Sequence, residues 1–314
     1  MADSLCTSKI RILDFDASVL AQAALLEKYA KPPYSAQIIS FKDIAPSCRY
    51  IATKKTLSLV KKRLENSSRN AITLYGSGDF HHISSALIPE ESVSVIMFDH
   101  HPDCYNFSPC MSCGSWVSNV SKMKNVEKIV LLGPSSEDLS TCGLAMSYLK
   151  GVEKEKIEIF PYNKTPSRLY FHYLKDTSCF KVKRDILGST LYWDNLKGKN
   201  TNFIKEILTR IPSKNVYISI DKDCLTSEFA LTNWEEGGVS LEWLLAALTI
   251  IKQEKNIIGM DITGEYSPIE LKNPLKIFLS SLDHPKQPAK DVSAGKISAV
   301  NEATNLKILD LFLK

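Results

Sequence analysis

Short apolar runs that alternate with helical patterns along the chain are the feature that most restricts its fold. A run of about four to eight apolar residues is typical of a strand. Runs that are apolar on both faces are typical of parallel strands covered on both sides by helices. We therefore predict an α/β fold, a three-layer α/β/α sandwich around a mainly parallel sheet. The predicted strands are Ile10–Phe15, Ala71–Tyr75, Val93–Phe98, Ile129–Leu132, Ile157–Phe160, Val216–Ile220 and Ile257–Ile262.

Helical spacing of apolar residues separates these strands. Ser240 is predicted to open a helix that runs to about Lys252, and Leu306–Leu313 is predicted to form a closing amphipathic helix. Residues 164–202 mix tyrosine, tryptophan and charges without a clear period, which we interpret as a lobe or a long insertion on the same domain. Because no Pro/Gly/Ser-rich linker divides the chain, residues 1–314 are predicted to form a single domain.

Charge and composition exclude several classes of protein. A formal net charge of +4 is too weak and dispersed to favour a nucleic-acid partner. No apolar run approaches the ~18 residues of a membrane span, and the start of the chain lacks the pattern of a secretory signal. The pair Cys110 and Cys113 has no second pair, as a structural zinc site would need. We expect reduced thiols, no membrane partner and a cytoplasmic location.

Acidic and imidazole side chains follow four of the predicted strands. Four of the six histidines lie in two of these segments. Ligands of an open parallel sheet bind beyond the carboxyl ends of its strands, so these side chains are expected to share one edge of the sheet. The four segments are GSGDFHH at 76–82, DHHPD at 99–103, DKD at 221–223 and TGEYSP at 263–268.

The spacing within these segments favours metal binding. In extended backbone, alternate residues point the same way, as Asp99, His101 and Asp103 would, and as Asp221 and Asp223 would. Carboxylates packed together without a cation would repel one another and raise each other's pKa. Four carboxylates balance the charge of two divalent cations. An oxygen-rich set with two imidazoles suits manganese better than zinc.

The order of these segments resembles the arginase/agmatinase/formiminoglutamase (ureohydrolase) family. That family carries Gly-Gly-Asp-His-Ser, then Asp-Ala-His-x-Asp, then Ser-x-Asp-x-Asp, then Asp-Ile-x-Glu with a nearby proline. The counterparts in this chain, between Gly76 and Pro268, are GSGDFHHIS, DHHPD, SIDKD and DITGEYSP. The resemblance implies two Mn²⁺ ions, held by His81, Asp99, His101, Asp103, Asp221 and Asp223.

The resemblance also implies individual roles. Asp99 and Asp221 would bridge the two ions, and Asp103 would both bind an ion and accept a hydrogen bond from the reacting hydroxide. Glu265 would face the guanidinium of the substrate. Together with His100, Asp103 and Glu265 are the candidate catalytic residues.

Three departures from the family pattern leave alternatives open. Phe80 precedes a histidine pair, so that either His81 or His82 could be the ligand, with His81 giving the better alignment. The histidine that transfers protons in arginases has no counterpart, and His100, His172 or His284 could replace it. The loop after Asp103 is Cys-Tyr-Asn-Phe, which argues against recognition of free arginine.

The implied activity is hydrolysis of a guanidino group, as in hydrolases that act on linear amidines, with release of urea. The substrate would be a small guanidine or an arginine within a peptide, which would become ornithine. One alternative is an amidohydrolase similar to the metal-dependent deacetylases, and another is a non-catalytic metal-binding or sensing protein. Arginase relatives commonly form trimers or hexamers, so that a homo-oligomer fits the resemblance.

Overall fold

The computed structural model describes residues 9–67, 70–106, 109–269, 271, 273–283 and 292–313. Its strands are β1 (Lys9–Asp14), β2 (Gln37–Ser40), β3 (Ile51–Ala52), β4 (Ala71–Tyr75), β5 (Val93–Phe98), β6 (Met111–Ser112), β7 (Val126–Gly133), β8 (Ile157–Pro161), β9 (Ser167–Tyr170), β10 (Phe180–Asp185), β11 (Gly188–Trp193), β12 (Asn215–Asp221) and β13 (Asn256–Thr263). Its α-helices are α1 (Ala23–Tyr29), α2 (Ala45–Cys48), α3 (Lys54–Leu64), α4 (Ser84–Leu87), α5 (Trp116–Val120), α6 (Thr141–Met146), α7 (Leu149–Glu153), α8 (Asn202–Thr209), α9 (Leu241–Glu254), α10 (Pro274–Asp283) and α11 (Ala294–Leu313).

The core of the fold is an eight-stranded sheet in the order β2-β1-β4-β13-β12-β5-β7-β8. All seven pairs of neighbouring strands in this sheet are parallel, which confirms the predicted α/β class with a mainly parallel sheet. Strands β4, β5 and β8 are buried at every residue. These strands are mostly apolar, as is typical where helices cover both faces of a sheet, and Glu158 of β8 is a buried exception.

The seven predicted strands all coincide with strands of this sheet, and the predicted helix after Ser240 is present as α9. The Ser240 side chain accepts a hydrogen bond from the backbone N–H of Trp243, which caps the first turn of that helix. The closing helix is longer than predicted, because α11 begins at Ala294 rather than at Leu306. None of the helices in the described ranges is long and apolar enough to cross a membrane.

The irregular segment 164–202 contains a separate three-stranded antiparallel sheet in the order β10-β11-β9. This small sheet follows β8 in the chain. The Ser167 hydroxyl of β9 donates a hydrogen bond to the backbone carbonyl of Leu139, which lies beyond the end of β7. The small sheet therefore lies near the carboxyl ends of the main strands.

The register of the central strands determines where the site forms. Ile220 of β12 lies opposite Phe98 of β5, so that Asp99 and Asp221 leave neighbouring strands side by side. On the other side of β12, Asp221 lies opposite Thr263 of β13. The backbone after β4 turns into a short 3₁₀-helix, Gly78–Ile83, which presents His81 to the same edge.

Candidate metal centre

A cavity of about 170 Å³ opens at the carboxyl ends of the central strands. Four acidic and two imidazole side chains from three separate segments line it. They are His81, Asp99, His101, Asp103, Asp221 and Asp223. The structure therefore brings together the side chains that the sequence analysis selected, although they lie up to 142 residues apart in the numbering (223 − 81).

The first half of the cluster surrounds His81. Its Nδ1 lies 3.0 Å from Asp99 Oδ2, 3.2 Å from Asp103 Oδ2 and 3.5 Å from Asp221 Oδ2. The possible ligand atoms of His81, Asp99 and Asp221 all lie within 4.8 Å of one another. All of these side chains are buried.

The second half of the cluster surrounds His101. Its Nδ1 lies 3.0 Å from Asp223 Oδ2 and 3.7 Å from Asp99 Oδ1. The ligand atoms of His101, Asp99 and Asp223 also lie within 4.8 Å of one another. Asp99 belongs to both groups, so the two halves adjoin and share a carboxylate.

The hydrogen bonds of His81 indicate which of its ring nitrogens can bind a cation. Its Nε2 lies 2.9 Å from the hydroxyl of Ser219, and that hydroxyl donates to Asp261 Oδ1 at 2.8 Å. Nε2 must therefore carry the proton in the neutral ring, which leaves the lone pair of Nδ1 directed at three carboxylates. Because the Nδ1 lone pair and the carboxylate oxygens are all hydrogen-bond acceptors, a cation is needed between them. A set of ligands rich in oxygen suits a divalent metal ion.

The pKa values of the clustered side chains also indicate that their negative charge must be balanced. Burial lowers the pKa of His81, but hydrogen bonds to Asp103 and Asp99 outweigh burial and raise it well above its ordinary value. Burial and the Asp99 carboxylate raise the pKa of Asp103 to about 7 and that of Asp223 to about 6. Without a metal, protons must take up part of the charge of the cluster.

Asp103 is held in an uncommon backbone conformation by its neighbours. Its φ of 48° lies in the left-handed region, which residues with a side chain seldom adopt. The indole Nε1 of Trp116 donates to Asp103 Oδ2 at 2.7 Å, and the backbone N–H of Val117 donates to the Asp103 carbonyl at 3.1 Å. These contacts fix the direction of the carboxylate.

The structure distinguishes between the two adjacent histidines. His81 lines the cavity, whereas His82 is fully buried and neither of its ring nitrogens has a hydrogen-bond partner among the described residues. Burial lowers the pKa of His82 to about 3, so its ring is neutral. Asp79 forms a buried ion pair with Arg49 at 2.7 Å.

Glu265 does not face the cavity, in contrast to the prediction. Its carboxylate forms a buried ion pair with Lys222 and accepts a hydrogen bond from Asn305 Nδ2 at 2.7 Å. The backbone position that faces the cluster is instead Gly264, where an added Cβ would lie 2.4 Å from Asp221 Oδ1. Gly264 has a left-handed φ of 85°, which a residue with a side chain seldom adopts.

The candidates for the proton-transferring histidine lie in different surroundings. His100 packs edge-on against His101 with the ring centroids 5.1 Å apart, and burial lowers its pKa to about 4. His100 is absent from the cavity lining among the described residues. His172 is exposed on the small sheet segment, where its Nδ1 lies 3.0 Å from the Tyr170 carbonyl. His284 lies outside the described residues.

The sequence analysis missed a fifth strand end. The segment after β7 contributes Ser136, Glu137 and Asp138 to the cavity, and Tyr105 donates from its hydroxyl to Asp138 Oδ1 at 2.5 Å. The signal was present, since acidic residues follow the predicted strand Ile129–Leu132 after a Gly-Pro corner. Asp261 was noted only as the first residue of DITGEYSP and given no role, although a carboxylate inside an otherwise apolar strand would have indicated one.

Comparisons with known proteins find one matching family model and one long sequence match. The sequence model of the arginase family matches residues 187–273, which contain β12, β13 and the Asp221–Asp223 segment. An uncharacterized protein of Thermotoga maritima is 27% identical over 278 residues, which cover 87% of this chain and 88% of that protein.

Solved structures share the fold at low sequence identity. Arginase from Bacillus subtilis superposes with a TM-score of 0.56 at 14% identity, over 98% of this chain and 99% of that one. Formiminoglutamase from Trypanosoma cruzi, solved with Mn²⁺, superposes with a TM-score of 0.55 at 11% identity, over 100% and 97% of the two chains.

Proposed function

We propose that this chain belongs to the arginase (ureohydrolase) family and is a manganese-dependent hydrolase of guanidino groups, which the family-model match and the likeness of the fold support. The proposal depends on two clusters of possible metal ligands, one around His81 and one around His101. The two clusters share Asp99. Two such groups in one open cavity are the arrangement that a two-metal hydrolase needs.

The residues divide between two ions. His81 and Asp103 would bind one ion, His101 and Asp223 the other, and Asp99 and Asp221 both. When bound, two divalent cations lower the pKa of a shared water toward neutrality and so supply a nucleophile at ordinary pH. We propose manganese because the set is rich in carboxylates, and because the Trypanosoma cruzi relative was solved with Mn²⁺.

The chain itself positions the reacting groups. Ser219 and Asp261 fix the His81 ring, and Trp116 fixes Asp103. In the proposed reaction, water adds to the guanidino carbon and the bond to the alkyl nitrogen breaks. The alkyl nitrogen leaves as an amine and the carbon leaves in urea. We propose that Asp103 accepts the proton of the water and returns it to the amine.

Two alternative functions have less support. A deacetylase-like enzyme would hold one zinc ion, which would leave part of this six-residue cluster without a partner. A non-catalytic metal-binding protein is favoured by one observation, that the described residues contribute no histidine other than His81 and His101 to the cavity lining. Free thiols at the seven described cysteines suit our proposal of a cytoplasmic location.

The test combines metal analysis with a substrate panel. The purified protein should contain about two Mn²⁺ per chain after loading, and it should release urea from at least one of agmatine, arginine, guanidinobutyrate or an arginine-containing peptide. Asp221→Ala should lose both metal and turnover, because it removes a shared ligand. Stoichiometric metal with no urea from any of these substrates would favour the non-catalytic alternative.

A further inference from the structure

Exposed apolar side chains are concentrated on the small antiparallel sheet. Of the eleven large apolar side chains that are exposed in the described chain, six lie between residues 170 and 192. They are Tyr170, Phe171, Tyr173, Ile186, Leu187 and Tyr192. Single exposed apolar residues are ordinary on a protein surface, but a concentration of them marks an interaction site. The small sheet is therefore a candidate interaction surface.

The most exposed of these side chains lie at the end of the β10–β11 hairpin. Ile186 and Leu187 are the two residues of its turn, because Asp185 pairs with Gly188. Phe171 lies beside them, since its backbone N–H donates to the Leu187 carbonyl at 2.8 Å. Ile186 is 90% exposed and Phe171 is 76% exposed. Phe171, Ile186 and Leu187 together form the hairpin tip.

The residues and backbone of the hairpin tip are not explained by folding. Two-residue hairpin turns favour Asn, Asp and Gly rather than large apolar residues. The Asp185 carboxylate already accepts the turn's Leu187 backbone N–H at 2.8 Å, so the two apolar side chains are not needed to form it. Phe171 has a φ of 59°, in the left-handed region, which is strained for an aromatic residue. Backbone strain at an exposed side chain is typical of a functional position.

The hairpin tip belongs to a positively charged part of the chain. Residues 164–202 contain eight lysines and arginines against three aspartates, a formal charge of +5, whereas the whole chain carries +4. All three aspartates form ion pairs with other basic side chains of this segment, which are Arg168, Lys181 and Lys199. Lys175 and Lys183 are exposed, and neither has an acidic partner in the part of the chain that the structure describes. Apolar side chains and unbalanced positive charge therefore share this surface.

An anionic bilayer fits this combination better than another macromolecule. A stable protein interface takes about 20–30 residues from each side, whereas the tip offers three apolar side chains. Two copies that met at their tips would bring segments of like charge together. A nucleic acid would attract the lysines but would give Ile186 and Leu187 no apolar surroundings. A bilayer accepts a small apolar protrusion and attracts lysine through its negative headgroups.

We propose that the hairpin tip inserts into the interfacial region of an anionic lipid bilayer, where Lys175 and Lys183 contact the headgroups. Attachment of this kind needs no membrane-spanning helix, and it departs from the expectation, based on composition, of no membrane partner. It uses none of the residues that line the metal cavity, so it does not depend on the proposed function.

Sedimentation with lipid vesicles tests the proposal on the full chain. Vesicles of phosphatidylcholine with about 30% phosphatidylserine should bind the protein at least about tenfold more tightly than vesicles of phosphatidylcholine alone. Added salt should weaken this binding, because it screens the lysines from the headgroups. Absence of binding to the phosphatidylserine vesicles at low salt would overturn the proposal.

Ile186→Asp tests the apolar part of the surface. It should lower the affinity for the phosphatidylserine vesicles about tenfold, because a carboxylate does not enter the apolar region of the bilayer. Ile38→Asp is the matched control, since Ile38 is 48% exposed on β2, at the opposite edge of the main sheet from β8. Equal binding by these two variants, both with the urea denaturation midpoint of the wild type, would refute insertion of the tip.

Lys175→Gln and Lys183→Gln test the charged part of the surface. Each should lower the affinity for the phosphatidylserine vesicles about fivefold, because each removes one attraction to the headgroups. Lys307→Gln is the control, since Lys307 is exposed on α11. The same loss in all three variants would mean that net charge alone, rather than this surface, attracts the vesicles.

Two further measurements detect a different occupant. A dimer in sedimentation velocity without lipid, which Ile186→Asp converts to a monomer, would show that a second copy covers the tip. Tighter binding to a single-stranded DNA oligonucleotide than to the phosphatidylserine vesicles, lost in Lys183→Gln and kept in Ile186→Asp, would indicate a nucleic-acid surface. Either result would replace the bilayer as the partner of this surface.

Discussion

Ser219 illustrates how a small polar side chain inside an apolar strand can determine the chemistry of a site. Its hydroxyl lies between His81 Nε2 and Asp261, and Asp261 in turn accepts from the Tyr217 hydroxyl at 2.5 Å. Partners of this kind orient a metal-binding imidazole and raise its basicity. The neutral tautomer of His81 is therefore set by residues that never reach the cavity.

Replacing Ser219 by alanine should weaken manganese binding on the order of tenfold, because the His81 ring loses the acceptor that fixes its tautomer. Equilibrium dialysis with Mn²⁺ measures the change. Ser94→Ala is the control, since the Ser94 hydroxyl is buried in the same sheet but has no hydrogen-bond partner in the described ranges. Equal affinities in the two variants would contradict the role of Ser219.

The two adjacent histidines should also respond differently to truncation. His81→Ala should lose about half of the bound manganese, because one of the two ions loses its imidazole. His82→Ala should keep the metal but lower the free energy of unfolding by about 2–4 kcal/mol, since it leaves a hole in a packed interior. Elemental analysis and urea denaturation measure the two effects. Loss of metal in His82→Ala alone would reverse the assignment.

At the scale of elements, the Asp221–Asp223 segment depends on the buried ion pair behind it. Lys222 points away from the cluster to Glu265, which Asn305 of α11 also contacts, so α11 is linked to the metal segment. Lys222→Met should lower the free energy of unfolding by about 3–5 kcal/mol, because it leaves Glu265 buried and unpaired. Urea denaturation of the protein measures this change.

Two further variants separate charge from packing. The double variant Lys222→Met/Glu265→Gln should recover most of the lost stability, because neither buried side chain is then charged. It should also keep its guanidine turnover per bound metal, because Glu265 does not face the cavity. Lys205→Met should cost at most about 1 kcal/mol, since its pair with Glu254, 3.8 Å apart, is exposed. Loss of turnover in a stable, metal-loaded double variant would restore Glu265 as the guanidinium partner.

The strands that carry the site were predictable because they are buried on both faces and therefore mostly apolar, with few polar residues such as Ser219 and Asp261. The strands of the small sheet were not, since β10 and β11 mix exposed charges and aromatic residues, for example Lys181, Lys183 and Tyr192. The direction in which the Glu265 side chain points could not be predicted from the sequence either. Residue spacing alone does not reveal that Gly264 lies against Asp221 whereas Glu265 pairs with Lys222.

At the scale of the whole molecule, the cluster links metal binding to pH. The metal-free protein holds protons where the ions would lie, since the pKa values of Asp103 and Asp223 are raised to about 7 and about 6 by burial and by Asp99. Metal binding must release these protons. The apparent affinity for Mn²⁺ should therefore increase as the pH rises through this range and decrease below it.

Calorimetric titration of Mn²⁺ at about pH 6 and about pH 8 should show at least a tenfold higher affinity at the higher pH, with net proton release detected from the buffer dependence of the heat. Asp103→Asn should bind Mn²⁺ more weakly at both pH values but with a shallower pH dependence, because one competing proton has been removed. The same affinity at both pH values in the wild type would mean that the carboxylates are already ionised before the metal arrives. Because a protonated imidazole would also lose a proton on binding a metal, this result would require that neither the carboxylates nor the imidazoles of the cluster release protons, and metal binding would then stabilise the fold equally across this range.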